Sequence, residues 1–339
     1  MIIYFDTVKR KRPVNEAGEL VKLDWTTKKI EKIVPMFPQN PEVEHDSNPR
    51  GNSRGGKGIL LSEDNEIFAA TYHSIHVFDL DLNLKRIITN NLFVNIHEMC
   101  WEGKHIWVSS TAIDCAVKVD KEGNTLQTWW PREESLLQER FGLERMDIDK
   151  EADNRLKFIH AEISTKQHHT HLNSVIKSIG NGNTYTFLNK QGALVQMEPE
   201  TAIIIQDENL RGGHSPAVTF DGKHVIICSS MNKDILVYDL ESGNLEQKIH
   251  LPGFKEIGEL QKQFPDQPFN RTIFVRGLEI IDSRRILAGI SPASILEIDL
   301  NSGHLTDLYR FSDDVGDAVH GLVHLNKTGL SPNLYNEKR

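Results

Sequence analysis

Ile235-Leu-Val-Tyr-Asp-Leu-Glu-Ser-Gly-Asn-Leu-Glu-Gln-Lys-Ile249 alternates apolar and polar residues, turns at Glu241-Ser242-Gly243, and alternates again. Period-two alternation on both sides of a Ser-Gly turn predicts a β-hairpin. The chain repeats the pattern at Leu20–Ile30, Ile75–Leu84, Ala116–Leu126, Ala193–Ala202 and Ile295–Leu305. A period of about 40 residues with four short strands per repeat is the signature of a β-propeller blade. The sequence therefore predicts an all-β, six-bladed propeller. A single domain over residues 1–339 is expected.

The first blade is short of a strand. Residues 2–6 and 20–34 supply three strands and no innermost one. The apolar stretch Ala318-Val-His-Gly-Leu-Val-His-Leu325 lies at the other end of the chain. The C-terminal strand is expected to join the N-terminal strands and close the ring, which leaves no open sheet edge. Three long connections interrupt the repeat, at about 36–57, 131–165 and 252–273. Two of them carry helical spacing: Leu136, Leu137 and Phe141 in one, Glu256 to Phe264 in the other. All three join an outermost strand to the next innermost one. They should lie on one face of the ring, as lids or pocket walls.

Composition narrows the function. The net charge of −9 and a pI near 5.9 argue against a broad nucleic-acid surface. No apolar run is long enough for a membrane span, and Met1-Ile-Ile-Tyr-Phe-Asp6 does not read as a secretory signal. Cys100, Cys115 and Cys228 are odd in number, lack framework spacing, and fit buried thiols in a cytoplasmic protein. The Arg10-Lys-Arg-Pro13 cluster is expected in a solvated hairpin turn. Pro49-Arg-Gly-Asn-Ser-Arg-Gly-Gly-Lys57 lacks the ending of a nucleotide-binding loop, which leaves a looser anion nest or a simple flexible loop as its readings.

Histidine is the unusual residue, at 15 of 339. Four of the predicted innermost strands begin His97-Glu-Met-Cys-Trp, His171-Leu-Asn-Ser-Val, His214-Ser-Pro-Ala-Val and His320-Gly-Leu-Val-His, and a fifth begins Arg276-Gly-Leu-Glu-Ile. His171 and His214 are 43 residues apart, and Arg276 and His320 are 44 apart, each one blade. Starts of innermost strands ring one mouth of a propeller's channel, so these side chains should converge. Several neutral imidazoles around one point suit Fe, Mn, Zn, Cu or Ni. His97, His171, His214 and His320 are therefore the candidate ligands of a divalent metal. Arg276 offers a fixed fork for a carboxylate or phosphate, which implies a small anionic substrate. Asn173 and Glu279 are candidate catalytic groups. Glu98 could serve as ligand, supporting partner or base, although strict alternation turns it away from the channel. His168 and His169 could add a ligand. His105, His224, His250 and His304 fall at turns or outer strands and read as surface residues.

His97 to Trp101, His171-Leu-Asn173, His214-Ser-Pro216, Leu251-Pro-Gly-Phe254 and Arg276-Gly-Leu278 resemble, in that order, an uncharacterised family of bacterial six-bladed propeller proteins with a domain of unknown function. The resemblance covers about residues 90–325 and implies the fold without a reaction. This chain departs from it by inserting about 20 residues before Arg276. The histidine arrangement alone is similar to that of carotenoid-cleaving oxygenases and oligogalacturonate lyases, propellers with largely histidine metal sites. The acidic, calcium-type set of gluconolactonase-like propellers is missing. The expectation is a metal-dependent enzyme, lyase or isomerase before iron oxygenase, with a non-catalytic ligand- or protein-binding propeller as the competing class.

Overall fold

A computed structural model describes residues 1–10, 12–16, 18–38, 55–156, 170–266 and 271–325. It contains six four-stranded antiparallel sheets. The closing blade joins β1 (Ile2–Lys9), β2 (Glu19–Asp24) and β3 (Lys29–Pro35) to the innermost strand β24 (Asp317–Leu325). Ile3 pairs with His324 and Val8 with Ala318, so the two chain ends close the ring as expected. Blade one is β4 (Ile59–Leu61), β5 (Glu66–Ala70), β6 (Ser74–Asp79) and β7 (Leu84–Thr89). Blade two is β8 (Ile96–Glu102), β9 (His105–Ser110), β10 (Cys115–Val119) and β11 (Thr125–Trp129). Blade three is β12 (Leu172–Lys177), β13 (Thr184–Leu188), β14 (Ala193–Glu198) and β15 (Ala202–Gln206). Blade four is β16 (His214–Val218), β17 (His224–Ser229), β18 (Asp234–Asp239) and β19 (Leu245–His250). Blade five is β20 (Arg276–Ile280), β21 (Arg285–Ile290), β22 (Ser294–Asp299) and β23 (His304–Arg310).

The repeated outer hairpins share a local cause. Third strands end in an aspartate whose carboxylate accepts backbone N–H groups of the following turn. Asp79 accepts from Asp81 and Asn83, Asp120 from Glu122 and Asn124, Asp239 from Ser242, and Asp299 from Ser302. A side chain that mimics a backbone turn fixes where each hairpin reverses.

The core lies between blades. Phe68, Val77, Ile96 and Val108 join blades one and two, Trp107 and Leu188 join two and three, and Phe187 and Ile227 join three and four. Val237 and Ile286 join four and five, Phe5 and Leu287 join five to the closing blade, and Tyr4 and Ile67 complete the circuit. Each blade is thus buried on both faces, which explains why its inner strands read as almost continuous apolar runs. Helix α1 (Ser135–Phe141) puts Leu137 into the cluster of blades two and three, and α2 (Lys255–Gln263) puts Ile257 and Leu260 into that of blades four and five. Leu136, expected on the buried face of α1, is instead 43% exposed. Seven residues make too short a helix to bury both neighbours, since adjacent positions point about 100° apart. The helices follow β11 and β19, and so leave the ring on the face where the innermost strands begin.

Candidate functional site

Register irregularities recur near the starts of the innermost strands. Pairing shifts between Ile96 and Met99, Leu172 and Ser174, His214 and Ala217, and Arg276 and Leu278; opposite β24 it shifts between Phe5 and Thr7. Such bulges turn a strand and re-aim its side chains. His171, Ser215 and Gly277 hold φ values of 52°, 48° and 63° around them, a left-handed conformation that costs a non-glycine residue energy. The bulges carry the histidines to the axis.

All four predicted histidines come together. The His97 ring centroid lies 5.0 Å from that of His171, 6.5 Å from His214 and 5.9 Å from His320, and His214 is 6.5 Å from His320. His97, His214 and His320 are buried. Burial, followed by neighbouring imidazoles and cations, holds their pKa values well below the usual histidine range, so they are neutral at physiological pH. Ser230 donates its hydroxyl hydrogen to the Val275 carbonyl at 2.6 Å and therefore accepts from His214 Nδ1 at 2.8 Å. His97 Nδ1 faces the Asn95 carbonyl at 3.3 Å. Both contacts fix the proton on Nδ1 and leave the Nε2 lone pair for another partner, the arrangement that prepares an imidazole for a metal. Both nitrogens of His320 are buried without a hydrogen bond. A buried polar group in that state is costly, and an ion or ligand would satisfy it.

The Arg276 guanidinium lies 4.5 Å from the centre of the Phe274 ring, and its Nε is buried without a partner. Burial, then Arg10, presses its pKa down. Arg10 stands 5.7 Å from the same ring and is buried, so the expectation of a solvated turn fails for it. The physical reason is topological: β1 runs toward the histidine face, and its last residues pair with the start of β24. Lys57 is also buried and acts electrostatically on His97 and His320. Arg10 and Lys57 therefore join Arg276 in a cationic rim; the sequence left an anion-binding role open for the stretch that ends at Lys57 and gave none to Arg10.

Asn173 sits in its strand's bulge, donates through Nδ2 to the Gly213 carbonyl at 3.0 Å, and leaves Oδ1 buried and unpartnered. Glu279 lies three residues down β20, about 10 Å along the strand. There it accepts from the His324 backbone N–H at 3.3 Å and contacts His324 Nδ1 at 2.7 Å. It belongs to a buried pair a layer below the ring.

Glu98 does not turn away. The bulge breaks the alternation, and its Oε1 accepts a hydrogen bond from Ser215 Oγ across the ring, which in turn accepts from the Gly277 N–H at 3.0 Å. Burial raises the Glu98 pKa to about 8 against the opposing pull of Ser215. Asp6, buried between the closing blade and blade one, accepts from Gly321 N–H at 2.7 Å and Gly58 N–H at 3.0 Å. Burial raises its pKa to about 7. Beneath this layer runs a cavity of about 480 Å³, bounded above by His320 and Ser215 and below by Glu102, Gly103 and Gly182.

The three cysteines are free thiols; Cys115 and Cys228 are buried, whereas Cys100 is partly exposed and lines the cavity. His168 and His169 lie outside the described residues. Among the described residues, the group of three whose ligand atoms lie within 4.8 Å of one another is His224, Asp239 and Glu246. His224 Nε2 is 2.9 Å from Glu246 Oε2. This triad occupies the outer strands of blade four at the ends away from the histidine ring, and such a set could in principle hold a divalent metal. Among the described residues, no helix is long and apolar enough to cross a membrane.

No family model and no curated protein matches the sequence. Solved structures do match. A protein of unknown function from Bacteroides caccae aligns with a TM-score of 0.55 at 10% identity over 95% of this chain and 97% of its own. The virginiamycin B lyase of Staphylococcus aureus aligns with a TM-score of 0.52 at 8% identity over 94% and 92%. The WD40 β-propeller domain of Doa1 covers 76% of this chain and 69% of its own, at 10% identity and a TM-score of 0.46. For the first two, at 10% and 8% identity, the likeness is one of fold.

Proposed function

We propose that this propeller is a metal-dependent enzyme, with His97, His171, His214 and His320 as the ligand set and Arg276 as the anchor of an anionic substrate group. The observation that carries the reading is the meeting of four imidazoles at matched strand bulges, with both nitrogens of His320 buried and unpartnered. The donor set fits a borderline transition metal, since neutral imidazoles bind such ions without first losing a proton.

A bound divalent metal would supply Lewis acidity toward an oxygen of the substrate. The chain's own residues do the rest. Arg276 orients a carboxylate or phosphate through its planar fork. Asn173 offers Oδ1 as an acceptor, and Ser230 keeps His214 in one tautomer. Glu279 takes part only with a substrate that reaches down the channel. The connections at 36–57, 131–165 and 252–273 would wall the mouth, although residues 39–54, 157–165 and 267–270 of them lie outside the described residues. An anchored anion beside a Lewis acid suits elimination or isomerisation; iron-dependent oxygenation is the alternative chemistry. The enzyme would work in the cytoplasm, where its thiols stay reduced.

One observation favours a metal-free, ligand-binding propeller instead. Among the described residues the ring nitrogens do not draw within 4.8 Å of one another in threes, as those of the blade-four triad do. Metal binding then requires the imidazoles to rotate inward. The test is elemental analysis of protein purified without chelator, beside His97→Ala and His214→Ala. About one equivalent of metal in the parent and none in folded variants supports the enzyme. No metal, and none bound on titration, leaves the binding module.

A further inference from the structure

His171 is aimed from a neighbouring blade. Its left-handed backbone persists in a non-glycine residue only where the surroundings over-determine it. Much of that constraint comes from blade two. The connection from β9 to β10, on the histidine face, makes one 3-10 turn, Thr111–Ile113, and ends at Asp114. Asp114 is itself left-handed, at φ 49° and ψ 54°, which a short polar side chain tolerates. Its carboxylate is fully buried and reaches across to blade three. Oδ2 accepts the Thr170 N–H at 2.9 Å; Oδ1 accepts the Thr170 hydroxyl at 2.6 Å and the Leu172 N–H at 3.4 Å. One carboxylate thus holds the backbone on both sides of His171. Thr111, from the same turn, donates its hydroxyl to the Leu172 carbonyl at 2.7 Å. Arg132 Nη1 stands 3.9 Å from Asp114 Oδ2 and helps to balance its charge.

Two other ring residues are held within their own sheets. The N–H that follows His97 goes to Ser109 Oγ at 2.7 Å, and the N–H that follows His320 goes to Asp6 at 2.7 Å. His171 depends instead on a contact between blades, and that contact comes from the blade that carries His97. The two imidazoles lie 5.0 Å apart, centroid to centroid. We propose that Asp114 is a positioning residue, which sets the approach of the His171 imidazole to that of His97 and, through it, the closure of the ring on a metal. The inference rests on the reading of the four histidines as a ligand set and adds a residue that lies outside it. Carboxylates that orient a ligand in this way tune a metal site without touching the metal.

The test is a double-mutant cycle with zinc as the probe. Asp114→Asn keeps one acceptor oxygen and turns an NH₂ toward the remaining donors. Zinc affinity, measured by competition with a chromophoric chelator, should fall about 10- to 100-fold in this variant. In a His171→Ala background the same substitution should change affinity by less than about two-fold, because the imidazole it positions is gone. A merely structural lesion would weaken both backgrounds alike. Thr111→Val removes the hydroxyl on Leu172 with little change of shape, and repeats the cycle should Asp114→Asn fold poorly. A second readout needs no metal: nitrogen-15 NMR of the histidine rings in chelator-treated protein, with the His171 signals assigned by their loss in His171→Ala. Asp114→Asn should shift the His171 signals and leave those of His214 and His320 in place. Equal losses of affinity in both backgrounds overturn the proposal; so do His171 signals that stay put, or shifts that spread equally to His214 and His320. A protein that binds no zinc yet shows the shift confined to His171 would refute the metal reading and leave the positioning role standing.

Discussion

Replacing Asp6 with asparagine should reverse its effect on stability between about pH 4 and about pH 8. The carboxyl is fully buried, and each oxygen accepts one backbone N–H, from Gly321 and Gly58. Burial raises its pKa from 3.8 to about 7. A carboxyl with a raised folded-state pKa contributes stability that is complete below its unfolded value and is lost as pH rises through the folded value. The loss across that window is about 4 kcal/mol, at about 1.4 kcal/mol per unit. Asparagine keeps one acceptor oxygen but turns an NH₂ toward the second N–H, at a cost of about 1–3 kcal/mol independent of pH. Asp6→Asn should thus be the less stable protein below about pH 4 and the more stable one above about pH 7. For a chain of 339 residues, 1 kcal/mol moves the melting temperature by about 1.5 °C, so the gap between the two proteins should swing by about 6 °C. Differential scanning calorimetry of chelator-treated protein across that range reads it directly. Parallel melting curves at every pH would refute the reasoning.

Other outcomes follow from the packing and the site. Trp107→Ala opens a fully buried site between blades two and three and should cost about 3–5 kcal/mol, seen as a lower urea midpoint. Glu279→Ala leaves the buried His324 side chain without its hydrogen-bond partner and should cost about 1–3 kcal/mol; metal content, read in parallel, should be unchanged because the pair lies a layer below the ring. Ser230→Ala frees the His214 tautomer and should weaken metal affinity about 10- to 100-fold, measured by competition with a chromophoric chelator. In zinc titrations, Glu246→Gln should remove any weak site at the exposed blade-four triad and leave tight binding intact.

The fold was legible because its repeat is local. Each copy of the hairpin carries its own alternation and, in most blades, its own turn-forming aspartate. The ring's closure was legible too, because three N-terminal strands lacked a partner that Ala318–Leu325 could supply. The matched positions of His97, His171, His214 and His320 followed from blade spacing. What stayed hidden depends on contacts between distant segments. Arg10 reaches the histidine mouth only because β1 pairs with β24. Glu98 faces Ser215 only because a bulge breaks the alternation that turned it away on paper. Glu279 was placed with the ring because its strand begins there, but its partner His324 lies on a different strand, and one bulged residue decides which layer a side chain enters. The axial channel is a property of six strands together, and no single repeat announces it.

The most direct test of the account is X-ray absorption at the metal edge of the protein as isolated, compared with His320→Ala. The account predicts a first shell of three or four imidazole nitrogens at about 2.0–2.2 Å, with one fewer in the variant. A metal-free protein, or a shell of carboxylate oxygens unchanged by the substitution, would contradict it.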